Sequence, residues 1–146
     1  MKSRAILLMA GLVMAACSGM QPLRISAGEL CFRCRKVISD PRVAAEVIDT
    51  GGQAFKFRTA GCMAKFVKAN PTQQFAGLFA TDYATGRLVK VSGMKFVPTM
   101  IGEGRDRAMD FVAYAYYADQ VAADAARSAN STPVEWQKVL ADATPD

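Results

Sequence analysis

An apolar run from Ala5 to Ala16 stops at Cys17, and that junction decides how much of this chain is left to fold. Met1-Lys2-Ser3-Arg4 provides a basic start, and Met14-Ala15-Ala16 places small residues before the cysteine. Together these make a bacterial export signal. The run is too short to span a bilayer, which takes about 20 apolar residues. Met14-Ala15-Ala16-Cys17 has the form of a lipobox, so residues 1–16 are expected to be removed and Cys17 to carry lipid. Several acyl chains then anchor firmly where one binds only marginally. The alternative is plain secretion with a free Cys17. Ser18 and Gly19 supply no acidic retention signal. The expected place is therefore the bacterial envelope, facing the periplasm, at the outer membrane.

Residues 18–146 suit one compact domain or two very small ones. Loss of Lys2 and Arg4 takes the net charge from +5 to +3. So mild an excess suggests neither nucleic acid nor a strongly acidic partner. The chain has no histidine, which excludes histidine-based triads, histidine metal sites and Cys-x-x-Cys-His haem attachment. Soft sulfur chemistry is left: thiol redox, or binding of a soft metal such as Cu(I).

After lipidation three cysteines stay available, Cys31, Cys34 and Cys62. An odd number in an oxidising compartment leaves at least one thiol free, paired outside the chain, or bound to metal. Cys31-Phe32-Arg33-Cys34 is spaced to close a small disulfide or to chelate one ion. Arg33, Arg35 and Lys36 crowd the pair, and positive charge favours thiolate. The plainer alternative is a local disulfide stapling tether to body. Cys62 falls third in a helix if Thr59 is its N-cap, where the helix dipole favours thiolate. It then either completes a three-sulfur site or serves as a small buried hydrophobe. Thioethers supply softer ligands. Met100 follows Pro98-Thr99 at the lip of a loop and is the most prominent of them. Met63 reads either way, and Met109 reads as core. No phosphate loop and no resolvable acid/base pair is present.

Local signals give an α+β order. Met20 to Ala27 reads as a short tether. Val43 to Ile48 and Ala54 to Phe57 flank the turn Asp49-Thr50-Gly51-Gly52 as a hairpin. Thr59 opens a helix that Asn70-Pro71 ends, and Phe75 to Ala80 is the next strand. Arg87–Val91, Met94–Val97 and Ala108–Val112 read as further strands. Tyr114 to Arg127 reads as an alanine-rich helix with Tyr117, Val121 and Ala125 on its apolar face. Ala54, Phe57, Ala64 and Val67 match Ala108, Phe111, Ala118 and Val121 at one constant offset, a faint internal repeat. Thr132, Pro133 and Glu135 form a capping box for a last helix through Trp136, Val139 and Leu140.

The lipobox, the Cys pair soon after it and "FKFRTAGCMAKFV" (Phe55 to Val67) resemble the nitrous-oxide-reductase accessory lipoproteins, the NosL family. So do "ATDYATGRLVKVSGMKFV" (Ala80 to Val97) and the proline–methionine–glycine loop around Met100. The resemblance covers nearly all of residues 29–127, and "TDYATG" before a strand is its most specific part. It implies an α+β tandem of two small β-β-α-β units, related to the organomercurial lyase-like fold. The implied layout is a signal peptide (1–16), a lipidated tether (17–27), a first unit (28–83), a second unit (84–128) and a C-terminal helix and tail (129–146). It also implies a non-enzymatic Cu(I) carrier serving the copper-site assembly machinery of nitrous oxide reductase. Cys31, Cys34 and Met100 would be the metal ligands, with Cys62 and Met63 behind them. Where the family has Gly-Met after the second cysteine, this chain has Arg35-Lys36, so one expected methionine is gone. The runner-up is a thiol–disulfide redox lipoprotein using Cys31 and Cys34, and a third is a structural lipoprotein with a spent site.

Overall fold

The computed structural model describes residues 20–145. The expected export signal and the expected lipidation site Cys17 lie outside them. Among the described residues the chain is α+β, with two antiparallel sheets and three α-helices. Strands β1 (Ala45–Asp49) and β2 (Ala54–Phe57) form the hairpin expected from the Asp49-Thr50-Gly51-Gly52 turn. Helix α1 (Ala60–Ala69) follows, capped by Thr59 and ended at Asn70. The chain then returns as β3 (Phe75–Thr81), antiparallel to β1, and β4 (Leu88–Lys90) pairs with β3. The sheet order is β2-β1-β3-β4. The expected boundary after residue 83 therefore falls between two paired strands.

β5 (Met94–Ile101) and β6 (Ala108–Ala115) make a separate two-stranded ribbon. Helix α2 (Asp119–Ser128) packs on both of its strands. Beyond α2, Val134 pairs antiparallel with Phe96 of β5 through two backbone hydrogen bonds of 2.8 Å. Helix α3 (Trp136–Asp142) then packs against α1 and β5.

The ribbon is buried on two faces because its alternating residues serve two clusters. Met94, Phe96 and Ala113 join the main core with Val47, Phe57, Met63, Ala64, Trp136 and Val139. Val97, Val112 and Tyr114 face Ala118, Ala122 and Ala126 on the α2 side.

Three local expectations are corrected. Tyr114 and Ala115 belong to β6, where they pair with Lys95 and Met94, so α2 starts at Asp119. Strand pairing holds extended a segment whose own composition favours helix. The buried positions of α2 are Ala122 and Ala126, while Val121 faces solvent. The capping box at Thr132 does not form, because the bridge to Phe96 keeps Val134 extended. Glu135 takes the cap position, and its carboxylate accepts from Lys95 and Tyr116 instead.

The tether is docked rather than free. Glu46, fully buried on the outer face of β1, accepts the Leu23 N–H at 2.8 Å. Lys56 donates to the Arg24 carbonyl at 2.8 Å, and Ile25 is buried with Ile38 and Ala44.

Candidate metal centre

The Cys-x-x-Cys segment is the tip of a miniature hairpin. Leu30 and Val37 bridge, Cys31 N–H donates to the Lys36 carbonyl at 2.9 Å, and Ile38 N–H to that of Glu29 at 2.7 Å. The tip closes by Arg35 N–H donating to the Cys31 carbonyl at 3.0 Å. Arg35 makes this turn with φ +59°. Phe32, between the cysteines, fastens the tip to the body. Its N–H donates to the Lys56 carbonyl at 2.7 Å, and its ring packs edge-on against Phe55 and Phe66.

The third cysteine arrives on α1. The Thr59 hydroxyl oxygen accepts the Cys62 N–H at 3.1 Å, so Cys62 is the third helical residue, as its spacing from Thr59 predicts. Asp110 of β6 locks this helix start from the ribbon side. Its carboxylate accepts the Thr59 hydroxyl at 2.6 Å and the Gly61 N–H at 2.9 Å. Gly61 is needed there, since a Cβ would come within 2.5 Å of the Asp110 oxygen. Burial pushes the Asp110 carboxyl up, against the hydrogen bonds that favour its charged form.

These two supports bring three sulfurs together. The Sγ atoms of Cys31, Cys34 and Cys62 lie within 4.8 Å of one another, and all three thiols are free. Cys31 is fully buried, while Cys34 and Cys62 are partly exposed. The Cys31 thiol is held down to about 5. The hydrogen bond from Cys62 is the largest cause, opposed by burial and aided by the N–H groups of Cys34 and Arg58. The leading causes of the lowering are these hydrogen bonds. Lys36 pairs with Asp106 across the loop after β5.

The Cys62 thiol is pushed up, first by its hydrogen bond to Cys31 and then by burial. This reverses the expectation that the helix N-terminus would make Cys62 the thiolate. Sulfurs this close hold one negative charge more easily than two, and Cys31 has the backbone donors.

The two methionine candidates sit on α1 and β5. Met63, beside Cys62 on α1, is fully buried in the main core. Met100 is exposed on β5, opposite Met109 on β6. Asp110 was missed by sequence reasoning. Its only signal is a single carboxylate inside the apolar strand Ala108-Met109-Asp110-Phe111-Val112.

Three thiols in one cluster form a soft donor set, suited to a thiophilic ion. Structural zinc sites use four protein ligands, and the group offers three among the described residues. No family model, curated protein or solved structure matches the chain.

Proposed function

We propose that this chain is a lipid-anchored carrier that binds Cu(I) and delivers it for assembly of the copper centres of nitrous oxide reductase. The observation that carries the copper part is the gathering of Cys31, Cys34 and Cys62 within 4.8 Å. Cys31 offers a ready thiolate from a buried position. Cys34 and Cys62 lie at the accessible side, where a thiol of a recipient protein can enter. Copper then passes by ligand exchange, with no change of oxidation state. The buried thiolate makes the site tight, and the two accessible sulfurs leave it open to a competing ligand. In this reading Cys62 supplies the donor that the Arg35-Lys36 substitution removes from the motif.

The client and the envelope location rest on the resemblance to the NosL family. Two features of the fold support that resemblance. The order β1-β2-α1-β3, with β3 returning to β1, is echoed by β5-β6-α2 and Val134 returning to β5. Ala54 and Ala108, matched by the internal repeat, both begin the second strand of a hairpin. We read the pair as a tandem of β-β-α-β units.

The test is an anaerobic Cu(I) titration of the reduced chain against a chromophoric competitor. One tightly held equivalent is expected. Cys31→Ser should weaken it by more than the roughly 10–100-fold that loss of an outer-shell partner costs. Unchanged affinity in that variant would sink the assignment. The depressed Cys31 thiol beside two further thiols also favours the redox alternative. Turnover of a disulfide substrate, with a reduction potential in the catalytic range, would distinguish it.

A further inference from the structure

We infer that Met100 and Met109 form a second Cu(I) site, a two-thioether landing point at the open end of the β5–β6 ribbon. The inference rests on the copper-carrier reading and extends it to how the ion arrives.

The two residues are direct cross-strand partners. Side chains so placed share one face of the sheet, with Cβ atoms about 4.5–5.5 Å apart. Along that face the rungs run Met94–Ala115, Phe96–Ala113, Pro98–Phe111 and Met100–Met109. The first two are buried, the third is partly buried, and the last opens to solvent, with Met100 44% and Met109 64% exposed. The sequence pattern of β6 places Met109 in the core, yet it is among the most exposed large apolar residues described. An exposed strand position gains nothing from methionine as a strand former, since β-branched and aromatic residues are favoured there. Two flexible thioethers facing one another across a ladder can close on one soft cation.

The position suits a relay. Phe111 and Ala113, on the same face, pack in the cluster that contains the three cysteines. Asp110, the next residue after Met109, accepts the N–H of Gly61, which directly precedes Cys62. The thioether pair is thus joined to the cysteine helix by a short bonded path. Thioethers are neutral and need lose no proton, so they capture Cu(I) weakly. The thiolates of the cysteine centre hold it more tightly, and transfer runs downhill by ligand exchange.

The probe is Ag(I), a diamagnetic soft monovalent cation, added to the reduced full chain carrying methyl-labelled methionine. The expected result is that the first equivalent fills the cysteine centre and the second moves the Met100 and Met109 methyl resonances together. Met100→Leu/Met109→Leu should weaken the second equivalent at least about tenfold and leave the first unchanged. Met109→Thr, a favourable strand residue, should do the same with an unaltered urea midpoint. Cys31→Ser/Cys34→Ser/Cys62→Ser should still bind one Ag(I) at the thioethers. An unmoved Met109 methyl, or full second-site affinity in Met109→Thr, overturns the proposal. So does movement of Met100 alone with the first equivalent, which would put it in the cysteine centre. If the cysteines take no metal while the two methyls still move, the thioether site stands and the cysteine reading falls.

Discussion

Arg35 turns the cysteine loop through a left-handed backbone conformation, φ +59°. Such a conformation costs an L residue roughly 1–2 kcal/mol. Glycine avoids that cost but gives up about 0.5–1 kcal/mol of chain entropy on ordering. Arg35→Gly is therefore expected to stabilise the fold by about 0.5–1 kcal/mol, read as a higher urea midpoint at unchanged slope. Asp82, from the "TDYATG" stretch, also acts through the backbone. Fully buried, it accepts the Thr85 hydroxyl at 2.6 Å and the Ala115 N–H at 3.1 Å, tying the turn after β3 to the end of β6. Asp82→Ala leaves that N–H without its acceptor and should cost about 2–3 kcal/mol in denaturant unfolding. This turn thus ties the two sheets together.

Among the elements, the start of α1 connects fold and site. Thr59 caps the helix that presents Cys62, and Asp110 holds both Thr59 and Gly61. Thr59→Ala should cost about 1 kcal/mol, the usual worth of an N-cap. Asp110→Ala should cost more, about 2–3 kcal/mol, since partly buried donors lose their acceptor. It should also weaken Cu(I) binding, though less than Cys31→Ser, in the same competitor titration. The cap was legible because it is a local pattern, Thr59 three residues before Cys62. The Asp110 lock was not, because it joins residues about 50 apart in the chain. The helix Asp119–Ser128 shows the same limit. Its alanines favour helix, but where it starts was decided by how far β6 pairs with β5.

At the scale of the whole molecule, the segment from Leu23 to Ile25 closes the outer face of the four-stranded sheet. Glu46 is fully buried beneath it, with one carboxylate oxygen on the Leu23 N–H and the other without a partner. Burial pushes the Glu46 carboxyl up, although the Leu23 N–H and Lys56 pull the other way. A raised carboxyl binds its proton more tightly in the folded chain than in the unfolded one. Its contribution is fully present below the ordinary carboxylate range and is lost as pH rises through the raised value. Glu46→Gln removes that titration. The variant should therefore gain stability relative to the wild type as pH climbs from the ordinary carboxylate range, then level off. Urea midpoints of both proteins across that range test it, and a constant difference would refute the assignment. If Cys17 is lipidated, the docked segment begins only a few residues from the anchor, at most about 3.3–3.6 Å of reach per residue. The body would then be held close to the membrane surface.

The sequence by itself determined the α+β class, the first hairpin, the Thr59 cap with Cys62 three residues on, and the exclusion of histidine-based sites. Each of these follows from turn residues, periodicity or composition within a short window. Only the tertiary structure decided that the three cysteines meet, that hydrogen bonding lowers the Cys31 thiol while the Cys62 thiol is raised, and that Met109 opens to solvent opposite Met100. These depend on which distant segments pack together. Cys31 reaches Cys62 through a hairpin tip fastened to β2 and a helix pinned to β6, and no local window contains both.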